Sequence, residues 1–223
     1  MILYGDFMLD IDDMERRHQF RFMTDKVPDK KIIDEIVSET FRLCPIKLGK
    51  WYFYIDVYGP EHYQEKRKFC LQTACDIPDG IDPAKLYESG GKSEKNINEL
   101  IPILDGYIED KKRQPGCPAF NTQILAPYVF AFRWNTKDQH KIQRGYHFIG
   151  ASMFSYVMSV LANKKGLDAS FCQCFFDNNY NYNSLYNSES DTTMFFLSLG
   201  YGDSSYHDSN EPKPDMKDVI KWM

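Results

Sequence analysis

What the 223-residue chain lacks narrows its class before anything else. No uncharged apolar run approaches the ~20 residues that a bilayer-spanning helix needs, and the mean hydropathy is -0.52. A membrane protein is therefore not expected. A basic excess is missing as well: 27 Lys and Arg stand against 32 Asp and Glu, giving a net charge of -5. A general nucleic-acid binder carries a basic face or stripe, and clusters such as Lys111-Lys112-Arg113 read as solvated turns among acids. Cysteine is sparse, with six residues at 44, 70, 75, 117, 172 and 174, far below the density of a disulfide scaffold. There is no Asn-x-Ser/Thr sequon, and the start Met1-Ile2-Leu3-Tyr4-Gly5-Asp6 reaches an acid within six residues with no basic n-region, so no signal peptide is expected. The expectation is free thiols in a reducing, cytoplasmic setting. The sequence shows no internal repeat.

Signatures of familiar chemistry are equally scarce. Gly91-Lys92-Ser93 ends like a phosphate loop, but the glycine required five residues earlier is Leu86, and no strand precedes it, so a surface turn is expected. Cys172-Gln173-Cys174 has a one-residue gap and no matching second pair, whereas a closed zinc site takes four ligands; no metal is expected. The five histidines (18, 62, 140, 147 and 207) form no nucleophile-base arrangement, and no Gly-x-Ser-x-Gly elbow occurs. Asp10, Asp12 and Asp13 read as an acidic surface rather than a catalytic pair.

What is present is an ordinary globular composition, rich in rings. Hydrophobic residues make up 43% and aromatics 15%, enough apolar content to exclude disorder as the main state and to fill one core in a chain of this length. Met14 to Phe22 is basic and aromatic and leads to a turn at Val27-Pro28. Asp29 reads as an N-cap, and Ile32, Ile33, Ile36, Val37, Phe41 and Leu43 predict an amphipathic helix over 30–43 that Pro45 stops. Residues 51–58 read as a strand, 61–75 as a helix, and 124–134 as a central strand. The longest helix signal spans 142–165, is apolar nearly all round and so should be buried, carries Gly150-Ala151-Ser152, and has Gly166 in place as C′. Residues 177–191 read as a polar loop, 194–199 as a second core strand, and the tail as a short helix after Pro212-Lys213-Pro214. Residues 76–122, with five prolines and Gly90-Gly91, read as a turn-rich excursion with one helix near 94–110. A stretch of that length inside a domain is expected to be functional or interfacial. Helices and strands alternate without a linker, which points to α+β or α/β in a single domain over 1–223.

The order of these segments resembles the nitroreductase family of flavoproteins. Glu15-Arg16-Arg17-His18-Gln19-Phe20-Arg21-Phe22, Val27-Pro28-Asp29 and the following helix match that family's opening. Cys44-Pro45 leading to Trp51-Tyr52-Phe53 matches the entry to its first strand. Ala126-Pro127, Ile149-Gly150-Ala151, Gly166-Leu167, Phe195 to Tyr201 and a Lys-Pro tail follow in the same order at similar spacing. The resemblance covers most of the chain. It implies an α+β fold with a central mixed or antiparallel sheet flanked by helices, dimerising through long helices, with FMN at the interface of a homodimer. It implies hydride transfer from NADH or NADPH through the flavin to a nitro compound, quinone or similar small acceptor. A flavin needs a cation for its phosphate, donors for its ring and a partly apolar pocket. By the same resemblance, Arg16, Arg17, His18, Phe20, Lys47, Gly49 and Lys213 stand at FMN-contacting positions, and Cys172, Gln173 and Cys174 lie where the backbone passes the ring. No catalytic side chain is implied.

The sequence departs from the family pattern at several of these places. His18 stands for a serine and Phe20 for an arginine or lysine; Lys47, Leu48 and Gly49 replace an Asn and Gln region; Lys213 is what remains of a Lys-x-Arg tail. These departures favour a second reading, a nitroreductase-like domain that has lost catalysis and serves as a binding or structural subunit.

Overall fold

The computed structural model describes residues 19–20, 22–46, 51, 53–72, 101–102, 104–106, 108–109, 120–134, 144–172, 193–203 and 215–220. The loop expected at 177–191 and most of the 76–122 excursion lie outside them, although the described residues between 101 and 109 are helical, as the sequence predicts.

Helix α1 (Lys30–Leu43) starts where the sequence places it, because the Asp29 carboxylate accepts from the Lys31 amide at 2.9 Å and satisfies one of the orphan donors of the first turn. It ends at Cys44, whose extended backbone is the conformation that the following Pro45 imposes. Ile33 and Ile36 are buried, as their spacing predicts, but Phe41 is 55% exposed. Strand β1 (Phe53–Tyr58) follows, then a 3₁₀ turn (Pro60–His62) that runs into α2 (Tyr63–Gln72). A second 3₁₀ turn (Thr122–Leu125) precedes β2 (Tyr128–Trp134), so the strand expected from residue 124 starts four residues later. Helix α3 (Arg144–Lys164) leads to β3 (Asp168–Cys172), a strand the sequence reading did not include. Strand β4 (Thr193–Gly200) and helix α4 (Met216–Val219) complete the order.

The four strands form one antiparallel sheet in the order β1-β2-β4-β3. The fold is α+β. Strands β2 and β3 flank β4, so α3 must carry the chain across one sheet position and lie on a face of the sheet while doing so. On that face α1 and α3 cover a core that includes Ile36, Phe130, Phe132, Phe154, Met158, Phe195 and Leu197. Phe154 is central to it: its ring meets those of Phe41, Trp51, Phe53 and Phe132 edge-on at centroid distances of 5.0–6.2 Å. Each such pair adds about 0.5–1.5 kcal/mol beyond simple burial. The opposite face carries a smaller cluster of Phe69, Ile124, Ala126, Val129, Ala131, Cys172 and Phe196.

Gly150 is needed for a close approach: a Cβ there would sit 3.3 Å from the Phe53 ring, so the glycine lets α3 lie against β1. Gly166 ends α3 with φ +76°, and the Leu167 amide returns to the Ala162 carbonyl at 2.9 Å, as the C′ assignment requires. Lys165 then ties the end of α3 to α1 through Glu35 (2.9 Å) and Glu39 (3.6 Å). The expectation that α3 is buried all round holds for one side only. Ile149, Met153 and Tyr156, spaced i, i+4, i+7, are 56%, 37% and 43% exposed in the single chain. Among the described residues no helix is long and apolar enough to cross a membrane, and no group of three His, Cys, Asp or Glu side chains is placed to hold a metal ion.

Candidate functional site

The candidate segments at the two ends of the chain meet on the edge of the sheet. Residues 22–24 run antiparallel to 201–203: Met23 bridges Gly202, the Thr24 amide donates to the Tyr201 carbonyl at 2.7 Å, and the Asp203 amide donates to the Phe22 carbonyl at 3.0 Å. The Gln19 side-chain amide donates to the Phe171 carbonyl at 3.1 Å, which fastens the start of this strap to the last residues of β3. Asp168, at the other end of β3, accepts from the Gly202 amide at 2.7 Å. Three pieces distant in sequence, 19–24, 168–172 and 201–203, therefore share one corner of the fold. Backbone hydrogen bonds fix the register of 22–24 against 201–203, and the Gln19 and Asp168 side chains tie 168–172 to them.

Phe20 is buried, and its ring lies against the backbone of Gly202: a Cβ on that glycine would fall 2.4 Å from the ring atoms. No other residue type fits at 202 while the ring stays in place. Phe20 brings no polar atom to this corner, so a basic side chain's contribution is absent there. Cys172 ends β3 with its thiol inside the Phe69–Phe196 cluster, 2% exposed; what this residue presents to the corner is backbone. Arg16, Arg17, His18, Lys47, Gly49, Gln173, Cys174 and Lys213 lie outside the described residues. In the sequence Arg16 to His18 directly precede Gln19, and Gln173 and Cys174 directly follow Cys172.

Other functional-looking charges turn out to be structural. Arg133 donates to Asp56 at 2.6 Å and lies over the Tyr54 ring, its Cζ 5.2 Å from the centroid. These are the single charged residues of β2 and β1, opposite in sign, and that pattern was visible in the sequence. Arg67 pairs with Asp105 and so joins α2 to the helical residues of the excursion. Burial pushes the thiols of Cys44 and Cys70 up, which keeps both as neutral packing groups. Lys66 is the exception among the charges. It is 1% exposed, donates to the Ala126 and Pro127 carbonyls at 2.7 and 3.1 Å, and burial pushes its ammonium down to about 8. A lysine inside a charged helix gives no sequence signal of this.

No family model matches the sequence, and no curated protein matches it. Solved structures do match, over nearly the whole chain. The nitroreductase-like family protein from Bacillus cereus is 15% identical with a TM-score of 0.64, covering 98% of this chain and 97% of that one. The FMN and NADPH-dependent nitroreductase NfnB from Sphigopyxis sp. strain HMH is 14% identical with a TM-score of 0.61, covering 96% and 98%. A nitroreductase with bound FMN from Bacteroides fragilis NCTC 9343 is 13% identical with a TM-score of 0.56, covering 96% and 97%. The chain has the nitroreductase-like fold that its segment order implies.

Proposed function

We propose that this chain is an FMN-dependent oxidoreductase of the nitroreductase type that works as a homodimer in the cytoplasm. The observation that carries the reading is the corner where 19–24, 168–172 and 201–203 are locked together. It brings the two stretches that adjoin Arg16–His18 and Gln173–Cys174 to one place, and similarity of fold to FMN-bound nitroreductases supports the same assignment. The fit to a flavin is partial but consistent. Arg16 and Arg17 would hold its phosphate with forked, charge-assisted hydrogen bonds, His18 its polar chain, and Lys213 would add a late cation. The backbone at 172–174 would pass the ring, while Lys47 and Gly49 would meet it from the loop after α1. The flavin, when bound, supplies hydride chemistry between NADH or NADPH and a nitro, quinone or similar small acceptor. The protein's task is then to bind, orient and exclude water, and no side chain need act as a nucleophile.

The second copy enters through α3. Ile149, Met153 and Tyr156 form an apolar stripe that one chain leaves open, with Phe41 of α1 exposed as well. A partner helix would cover it, and the homodimer of this proposal completes the site.

One observation favours the non-catalytic reading: the ring of Phe20 is seated on Gly202 where a cationic donor would otherwise reach the phosphate. Purification and a flavin titration separate the two readings. The enzyme reading expects a yellow protein whose FMN affinity falls at least tenfold in Arg16→Ala/Arg17→Ala, with an unchanged circular dichroism spectrum. The magnitude follows from the roughly 1.5–3 kcal/mol that each hydrogen bond to a charged group contributes. A colourless protein that takes up no FMN at any pH leaves the binding or structural role.

A further inference from the structure

Beside the strap of that corner, on the α2 face of the sheet, lies a cavity of ≈ 260 Å³ whose walls include Phe22, Thr24, Val27, Lys66, Ile108 and Leu125. It shares no residue with the candidate FMN contacts, and nothing in its argument rests on the flavin. Its volume sits just under the roughly 300 Å³ at which pockets for drug-sized ligands begin, so its occupant is small.

The wall chemistry specifies more. Lys66 is 1% exposed, yet its ammonium has two backbone carbonyls and no carboxylate as hydrogen-bond partners among the described residues. Two of its three donors are thereby used. Glu61 and Glu65 favour its charged form from a distance, and neither is bonded to Nζ. A desolvated cation without a counter-ion is costly, and an anion arriving in the cavity would repay that cost. Thr24 sits on the same wall with its hydroxyl buried and without a hydrogen-bond partner among the described residues, a second donor at hand. Asp25, exposed on the rim, disfavours ligands of high negative charge. Tyr63 and Thr122 also line it, and the remaining walls are apolar.

We propose that this cavity binds a small organic monocarboxylate, its carboxylate on Lys66 Nζ and the Thr24 hydroxyl and its apolar body along Val27, Ile108 and Leu125. The test uses sodium hexanoate as the probe, with hexanol and hexylamine as controls, titrated calorimetrically into the full-length protein. The expected result is saturable hexanoate binding, with hexanol and Lys66→Met each weaker by roughly tenfold to a hundredfold, the span of one hydrogen bond to a charged group, and Thr24→Val weaker by a smaller factor. Equal affinity for hexanoate and hexanol, or no saturable hexanoate binding to the folded native protein, overturns the proposal. Should Lys66→Met fail to fold, the native protein decides alone. Hexanoate must then perturb the methyl NMR signals of Val27, Ile108 and Leu125, and perturbation confined to other methyls overturns the assignment.

Discussion

The Lys66 ammonium hydrogen-bonds to the carbonyls of Ala126 and Pro127, at the entry to β2, at the expense of its own hydration. Desolvation is the largest influence on it and lowers its pKa to about 8 from 10.5, against the smaller pull of Glu61 and Glu65. At this site the unfolded chain therefore holds a proton that the folded chain has lost between about pH 8 and pH 10.5, and the Lys66 contribution to stability rises with pH across that window. At 1.36 kcal/mol per pKa unit the rise is about 3 kcal/mol. Urea unfolding of the native protein and of Lys66→Met across this range should show the difference between them growing by that order. Parallel curves would mean that the ammonium is hydrated in the fold. Gly202 makes a second residue-scale prediction. Its α-carbon lies beneath the Phe20 ring, so Gly202→Ala should cost about 1–3 kcal/mol by overpacking and lower the melting temperature. Adding Phe20→Leu should recover part of the loss. If Gly202→Ala melts with the native protein, the ring is not seated there.

At the scale of elements, the sequence was legible wherever a local signal and the tertiary environment agreed. Helix α1 carried its Asp29 cap and its Ile33/Ile36 face in the sequence, and α3 carried its glycine stop. Strand β4 is mostly apolar, with Ser198 inside the run, and is buried on both faces. Strand β3 was missed because Asp168-Ala169-Ser170-Phe171-Cys172 has little β-propensity of its own; its pairing with β4 along all five positions makes it a strand. The 3₁₀ turn at Thr122–Leu125 was absorbed into β2 because Ile124 and Leu125 are apolar, although Pro127 can give no amide to a ladder. The candidate site was legible only as an order of segments. That Gln19 reaches Phe171, and that Phe22 and Thr24 pair with 201–203, depends on a strap laid across 150 or more residues of chain, which no local pattern encodes.

At the scale of the whole molecule, the open stripe on α3 is the feature to test. Placing charges on it should leave the core intact, because Ile149 and Met153 lie on the side away from Phe154 and Met158. If the proposed homodimer forms, Ile149→Glu/Met153→Glu is expected to convert it to a folded monomer by light scattering, with any FMN retention lost together with the dimer. A native chain that is monomeric at micromolar concentration, or a variant that dissociates and keeps its flavin, contradicts the shared site.

The position of β4 has a consequence for biosynthesis. It is the last of the described strands and yet an interior one of their sheet, so β2 and β3 have no sheet neighbour in common until residues 193–200 leave the ribosome. During translation at about 5–20 residues per second, β2 waits several seconds with the backbone groups of its edge toward β4 unpaired. Such an edge is a template for pairing with other chains. Nascent and truncated forms ending before Thr193 are thus the aggregation-prone species of this protein.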